Sequence, residues 1–529
     1  MANAIKRIRI EGFKKFKSFD LEFDPCMNIL IGENESGKST ILDAIKLVLC
    51  QEYRTADKAY LFDLFNHDLI SKHKKEKSYG SLPVIKIEIE FDLDGKGPYA
   101  QDFWGENHSF DNQARYGVKF ECCLEEDYAA ELATEIAAGK VPVEYYSLKW
   151  VTFSRQTYVL QKKPLNFIAI DNSDIRGAGA INYFSRDLFN TFYDSSTKTS
   201  ARSRFREGLK EVFENLKLTE LDDGQGFVLN DKKIPLENVL SVATDDILLE
   251  NRGKGRENLI KTQVALRKSE KRAPVQVITL EEPENHLSYM NMRKMIEEIS
   301  TSGNRSQLII ATHSNMIVNS LGVRKLIWIA ENGEPQTLKR LGEDDEKFFA
   351  KADTSRLLDF ILSDKVILVE GPTEYMLIPK FVKQFLGKTC DELGVAVIAC
   401  DGLSYKRYLR VAEACNKRVA VITDNDGKQK NVEEAAAYNQ SHDKQHIFLH
   451  EDTDLSTWEF CVFKNNSEIL EAQFPGQDSA EYKFNGISYP GTLGYMLTNK
   501  AETAYKMLSS DNVYVIPDYV KEAIEWLQK

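Results

Sequence analysis

The octapeptide Gly32-Glu33-Asn34-Glu35-Ser36-Gly37-Lys38-Ser39 constrains this chain more than any other stretch. It fits G-x-x-x-x-G-K-[ST] and lies between an apolar run, Met27 to Ile31, and a segment from Lys38 to about Cys50 that reads as a helix. Strand, glycine-rich turn and helix in that order make a phosphate-binding loop, because glycines let backbone N–H groups curl around phosphate oxygens at a helix N-terminus. Gly32, Asn34 and Gly37 then shape the loop, and Lys38 supplies a point charge for the β and γ phosphates. Ser39 and Thr40 open the helix, with Ser39 as a Mg²⁺ ligand. Such a loop works with carboxylates at the end of a neighbouring strand. Val275 to Leu280 is an apolar strand that runs into Glu281-Glu282, which places Glu281 for the Mg²⁺ shell and Glu282 to polarise an attacking water. His313, after the apolar stretch Leu308 to Thr312, is placed to sense the γ-phosphate, and the expected nucleotide is ATP.

A chain of 529 residues implies about three domains, and its 42% apolar and 28% charged residues are ordinary for a soluble protein. No apolar run approaches the roughly eighteen residues of a membrane span. The basic residues Lys6 to Lys17 interrupt any signal-like core, so a cytoplasmic protein without membrane partners is expected. Lys plus Arg (69) against Asp plus Glu (81) leaves −12, so the molecule as a whole repels a polyanion. Nucleic acid must be met through local basic patches or metal ions. The eight cysteines form no C-x-x-C pair, which favours reduced, mostly buried thiols over a zinc site.

Periodicity places strands at Ile5–Ile10, Phe19–Phe23, Val84–Leu93 and Tyr116–Leu124. Leu188 and Phe192, then Phe205 and Leu209, recur at helical spacing on either side of the Ser/Thr-rich stretch Ser195 to Ser203, which reads as a helical hairpin. A strand-helix-strand pattern resumes after about Asp245, with a helix near Leu287 to Ser300 and a strand at Gln307 to Ala311. The polar stretch Glu331 to Asp353 reads as a boundary. From Arg252 to Arg272, basic residues including Lys254, Arg256, Lys261 and Arg267 outnumber acidic ones; a phosphate-backbone contact and a solvated helix face both fit.

Beyond the boundary, Val366 to Val369 is a strand that ends in Glu370, with Glu374 one helical turn later. A second strand, Val419 to Thr423, ends in Asp424-Asn425-Asp426-Gly427, whose alternate aspartates point to one side of an extended segment. If the strands are parallel neighbours, four carboxylates converge beyond their C-terminal ends, where open α/β sheets place their sites. Such a cluster calls for hard cations, Mg²⁺ or Mn²⁺, which support phosphodiester cleavage.

Gly32 to Thr40, Glu281 to Leu287 and Ala311 to Ser314 together resemble the ABC-type ATPases of the SMC-like and OLD (overcoming lysogenization defect) groups. The resemblance implies paired nucleotide heads and a signature loop, for which Asn251 to Asn258 is the candidate; Lys254 stands there where related sequences commonly carry serine, a departure that bears on turnover. The second unit resembles the Toprim fold, with Asp401-Gly402 at its glycine turn. That likeness extends to Thr457-Trp458-Glu459 as a later metal-ligand element and to Lys500 as the catalytic lysine. It implies that Glu370, Glu374, Asp424, Asp426 and Glu459 hold metals, two per site, with Thr457 assisting and Lys500 stabilising developing phosphate charge. The whole is similar to OLD-family endonucleases, including Gabija-type nuclease subunits and retron-associated effectors.

The expected fold is α/β: an N-terminal ABC/SMC-like ATPase (1–170 and 241–345) with an inserted helical dimerisation segment (171–240), then a C-terminal Toprim domain (354–529). The expected function is an ATP-regulated, metal-dependent DNA endonuclease or nickase, catalysed through Glu370 and Lys500, with Glu282 serving the ATPase. The family likeness implies anti-phage defence, a homodimer or higher even-numbered oligomer, and partners such as a helicase, a reverse transcriptase or a nucleic-acid cofactor. The rival reading is an SMC-like repair or sensing ATPase whose Toprim unit docks DNA without cutting. A topoisomerase needs a separate tyrosine module, which the chain does not contain.

Overall fold

The computed structural model describes residues 3–529 apart from 54–56, 98, 173–176, 217–226, 231–233, 267–274, 303–304, 331, 340, 352–355, 401–404, 478–480 and 485. The expectations for Asp401-Gly402 and for Arg267, Lys268, Lys271 and Arg272 lie outside the described residues. The chain divides into two compact units, one of residues 1–321 and 325–336, the other of residues 322–324 and 337–529. No described helix is long and apolar enough to cross a membrane.

In the first unit, β1 (Ala4–Phe13), β2 (Phe16–Glu22), β3 (Met27–Ile31) and α1 (Lys38–Cys50) are followed by α2 (His67–Glu76), β4 (Ile85–Asp92), β5 (Trp104–Gly105), β6 (Arg115–Leu124), α3 (Ala133–Ala137), β7 (Tyr146–Thr152) and β8 (Phe167–Asp171). Next come α4 (Gly177–Phe192), α5 (Ser195–Asn215), α6 (Leu236–Val239), β9 (Ala243–Thr244), β10 (Ile247–Leu248), α7 (Lys254–Leu266), β11 (Val277–Glu281), α8 (Tyr289–Ser302), β12 (Gln307–Ala311), α9 (Asn315–Leu321), β13 (Leu326–Ile329) and β14 (Pro335–Thr337). One sheet is antiparallel, in the order β2-β1-β4-β6-β5, with β7 also on β6; the other runs β14-β13-β3-β12-β11-β8 and is parallel from β13 to β8. The short pair β9-β10 stands alone.

The two sheets differ as their sequences require. β4 reads as alternating, while β3 and β12 are apolar except for Asn28 and Gln307 and buried at every position, as strands covered on both faces must be. Helix α1 touches both sheets and is buried nearly all round, including Ile41, Ile45 and Val48, each worth about 1.5–3 kcal/mol of transfer free energy. This apolar layer holds the phosphate-loop turn in place from behind.

The helical segment differs from expectation in one respect. The break between α4 and α5 falls at Tyr193-Asp194, and the Ser/Thr-rich stretch is the first half of α5. Asp194 caps that helix by accepting from the Thr197 N–H at 2.7 Å, which satisfies an open donor and fixes the start.

The second unit contains α10 (Glu343–Lys351), α11 (Leu357–Leu362), β15 (Lys365–Val369), α12 (Pro372–Leu386), β16 (Val395–Ala399), α13 (Tyr405–Ala414), β17 (Arg418–Ile422), α14 (Gln429–Ser441), β18 (Gln445–Phe448), α15 (Trp458–Gln473), β19 (Glu481–Phe484), β20 (Ile487–Pro490), α16 (Gly491–Thr498), α17 (Lys500–Ser509) and α18 (Asp518–Gln528). Its parallel sheet runs β16-β15-β17-β18, and β19-β20 form a separate antiparallel hairpin. The polar boundary stretch is not all linker. Its acidic cluster forms the first turn of α10, where carboxylates favour the positive helix end, and buried Asp345 there takes Arg407 at 2.8 Å and Arg410 at 2.5 Å from α13.

Candidate nucleotide and metal sites

Three neighbouring strands of the first unit deliver the nucleotide-site residues. β12 lies between β3 and β11, with Ala311 opposite Leu30 on one side and Glu281 on the other, so Gly32, Glu281 and Thr312-His313 all emerge at the same carboxyl edge. The loop turns at Gly37, whose φ of +110° and distance of 2.4 Å from a notional Cβ to the Phe16 ring leave room only for glycine. Lys38 is buried and donates to the carbonyls of Gly32 (2.9 Å) and Glu33 (2.8 Å). Burial lowers its pKa, against the opposing pull of Glu282, Glu281 and Glu33. Asn34 and Ser39 are exposed, and Thr40 is buried.

Burial pushes Glu281 up to about 7; a hydrogen bond from Ser39 works the other way, and Asp171, Asp43 and Glu282 add to the rise. Glu282, with φ +42°, accepts from the Asn285 side chain at 2.6 Å. His313 is lowered by burial and by Lys38, against the opposing pull of Glu282. The arrangement brings Lys38, Ser39, Glu281, Glu282 and His313 into mutual influence.

Two participants escaped the sequence reading. Glu284 accepts from Thr312 Oγ1 (2.6 Å) and from the His313 N–H (2.9 Å), tying the acidic loop to the strand that presents the histidine. Its place in the E-E-P-E string was the available signal. Asp171, opposite Glu281 on β8, had none, because only the strand register brings it there.

The signature-loop candidate begins α7. A Cβ on Gly255 would lie 2.1 Å from the His286 carbonyl oxygen, so the helix start packs directly on the segment that follows Glu282. Lys254 lies 3.2 Å and Lys261 2.5 Å from Glu257, which is almost fully buried, and Arg252 donates to the Thr244 carbonyl. Lys261 and Arg252 are thus engaged inside the unit, while Lys254 and Arg256 remain exposed.

In the second unit, β15 and β17 are parallel neighbours with Val369 opposite Ile422, which brings Glu370 beside Thr423 and Asp424. Glu370 accepts from Thr423 Oγ1 at 3.1 Å and from the Asp424 N–H at 3.3 Å. Glu374 caps α12 by accepting from the Gly371 N–H at 3.1 Å and is pushed up to about 7, by burial first and then by Glu459 and Glu370. Asp424 is pushed up to about 9 by burial, with Glu370, Glu374 and Glu459 repelling it and Lys500 offsetting part. Glu459, almost fully buried, accepts from Thr457 Oγ1 and from Lys500 Nζ, both at 2.9 Å. Burial would lower Lys500, but Glu459, Asp424 and Glu374 outweigh it and raise the lysine.

Asp426 departs from expectation. The chain is not extended there: φ is +55°, and the half-exposed carboxylate lies 3.8 Å from Lys428. The intervening Asn425 is buried and donates to the carbonyls of His450 (2.8 Å) and Asp452 (2.9 Å), a clamp the motif did not announce. Glu370, Glu374, Asp424 and Glu459, with Lys500, therefore make up the mutually interacting set. Among the described residues, no three acidic, histidine or cysteine side chains already close around a common point. The donor set still fits a hard divalent cation, since hard carboxylates raised by burial and mutual repulsion are what such an ion would offset.

Residues 7–361 match a family model described as AAA domain, and residues 361–426 one described as overcoming lysogenization defect protein-like, TOPRIM domain. The DNA replication and repair protein RecF of Haemophilus influenzae is 52% identical over 42 residues, 8% of this chain and 12% of that protein. RecF of Lactococcus lactis is 30% identical over 98 residues, 18% of this chain and 26% of the relative. The DNA double-strand break repair Rad50 ATPase of Thermoplasma volcanium is 43% identical over 51 residues, 10% and 6% of the two chains. The chain thus spans about a quarter or less of these curated relatives. Among solved structures, the SMC head domain from Thermotoga maritima aligns at 14% identity and TM-score 0.29, over 61% of this chain and 94% of that one. The C-terminal region of the Xanthomonas campestris OLD protein aligns at 17% identity and TM-score 0.24, over 32% and 94%.

Proposed function

Since the chain belongs to the AAA-domain family and carries an overcoming lysogenization defect protein-like TOPRIM domain, we propose that it is a metal-dependent DNA endonuclease or nickase regulated by ATP. The observation that carries this reading is the cluster of buried Glu374 and Glu459 with half-buried Glu370 and Asp424, with Lys500 at its side. A surface that only docks DNA gains nothing from clustered carboxylates that repel one another, whereas a nuclease site uses them. Glu370, Glu374, Asp424 and Glu459 would hold Mg²⁺ or Mn²⁺, with Asp426 at the rim. When bound, such ions activate water and stabilise the leaving oxygen of a phosphodiester. Thr423 orients Glu370, and Thr457 orients Glu459. Lys500 holds a positive charge where negative charge develops on phosphate.

In the first unit, Lys38, Ser39 and the loop N–H groups bind the nucleotide phosphates, Glu282 holds the attacking water, and His313 faces the terminal phosphate. Occupancy of that site governs cutting. The protein works as a dimer through the α4–α5 segment, and its setting is defence against bacteriophage.

The test is plasmid cleavage by the full-length protein with Mg²⁺ or Mn²⁺, with and without ATP, alongside Glu370→Ala and Lys38→Ala. Nicking or linearisation by wild type and not by Glu370→Ala supports the reading, and the Lys38→Ala lane gives the direction of ATP control. Cleavage that persists undiminished in Glu370→Ala overturns the site assignment.

A further inference from the structure

The sequence Lys72-His73-Lys74-Lys75-Glu76-Lys77-Ser78-Tyr79 sets four lysines within six residues of a chain whose net charge is −12. The run falls on the last turn of α2 and the residues after it, and Lys74, Lys75 and Lys77 are all exposed. One or two cations there would satisfy the carbonyl end of the helix. Here the charge continues onto a neighbouring loop. His73 is fully buried, with Nδ1 2.9 Å from Ser81 Oγ and Nε2 3.0 Å from the Lys140 carbonyl oxygen, which pins the Gly139-Lys140 turn to α2. A Cβ on Gly139 would lie 3.4 Å from Lys74 Cα and 3.6 Å from Lys77 Cε, so the exposed Lys140 joins the same surface. Among the described residues, no carboxylate lies within ion-pair distance of Lys74, Lys75, Lys77 or Lys140; Lys72 alone of the run has one, Glu76 at 3.8 Å.

Aromatic rings accompany the lysines. Tyr79 is 46% exposed, and Tyr145, 40% exposed, meets Tyr128 edge-on at 5.2 Å. The Tyr146 hydroxyl donates to the Pro83 carbonyl at 3.0 Å, which ties the strand start that carries Tyr145 to the segment just after Tyr79. Unpaired lysines beside exposed ring faces match a nucleic-acid strand, whose phosphates take the cations while its bases stack on the rings. An acidic peptide would use the lysines and leave the rings idle.

We propose that the end of α2 and the Gly139-Lys140 turn form a binding surface for single-stranded nucleic acid on the first unit, apart from the carboxylate site of the second. The test measures anisotropy of a labelled oligothymidylate, and of a matched duplex, with full-length protein in EDTA, so that cleavage plays no part. Relative to wild type, Lys74→Gln/Lys75→Gln/Lys77→Gln should bind at least about tenfold more weakly at ~0.1 M salt, with the slope of log affinity against log salt shallower by about two. Tyr79→Ala/Tyr145→Ala should weaken the oligothymidylate more than the duplex and leave the slope unchanged. Both variants should keep the wild-type melting temperature and nucleotide binding. Unchanged affinity and slope in the triple variant overturn the surface, as does wild type that fails to bind the strand. So does a triple variant whose main change is its oligomeric state, since the surface would then serve a second copy. Plasmid cleavage that persists under any of those outcomes leaves the nuclease reading standing.

Discussion

At the scale of single residues, Asp424 shows what a carboxylate costs when it is held among other carboxylates. A free aspartate titrates near ~4, whereas this one is pushed up to about 9, so between those values the folded protein binds a proton that the unfolded chain has released. Stability therefore falls as pH rises across that window, and Glu374, at about 7, adds to the fall over the lower part of it. In EDTA, urea denaturation of wild type should show stability declining from pH 5 to pH 8. Asp424→Asn should flatten that decline and add on the order of 1–3 kcal/mol at neutral pH while abolishing cleavage. A variant less stable than wild type at pH 8 would argue against the repulsive cluster. Protons and metal compete for these oxygens, so half-saturation of cleavage by Mn²⁺ should move to lower concentration between pH 6 and pH 8.

At the scale of elements, the contact between α10 and α13 joins one buried carboxylate, Asp345, to a ring contact of Phe349 with Tyr408 and to Arg407 lying over Phe348. Asp345→Ala would remove the carboxylate that Arg407 and Arg410 share, leaving both part-exposed arginines to solvent and Arg407 to the Asp344 carbonyl, and should lower stability by about 1–2 kcal/mol, read as the melting temperature of the full-length protein. Gly255→Ala forces α7 off the His286 carbonyl and should slow ATP hydrolysis more than it weakens nucleotide binding. The elements that position the sites were legible because their apolar pattern and their function share the same residues: β3, α1, β12, β15 and β17 fall where the sequence places them. The hidden ones lack that pattern. The acidic turn of α10 looks like a linker until its arginines arrive from α13, sixty-odd residues on. Serines and threonines concealed the first half of α5. The Asp424–Asp426 spacing implied an extended strand, but the left-handed turn at Asp426 follows from Asn425 reaching into the His450–Asp452 loop, a tertiary cause that no local motif carries.

At the scale of the whole molecule, α5 is the exposed element that asks for a partner. It has no buried residue along its length, and Val212 and, just past its end, Leu216 are each about 60% exposed. The dimer proposed above predicts that Val212→Glu/Leu216→Glu shifts the protein to a monomer in light scattering, with the monomer's nucleotide affinity unchanged. A double variant that remains dimeric would place the interface elsewhere. The strand order also bears on how the molecule is made. β3, which carries the phosphate loop, emerges among the first thirty-odd residues, yet its sheet neighbours are β12 and β13. At roughly 5–20 residues per second, the ribosome needs about 15–60 s to deliver them. During that interval a largely apolar strand of the unit is left unpaired, whereas the second unit, made of nearly contiguous sequence, has its partners within reach as soon as they are synthesised. Overproduced protein should therefore be lost to aggregation mainly through its first half, and slower translation or chaperones that shield early strands should raise the yield of folded chain.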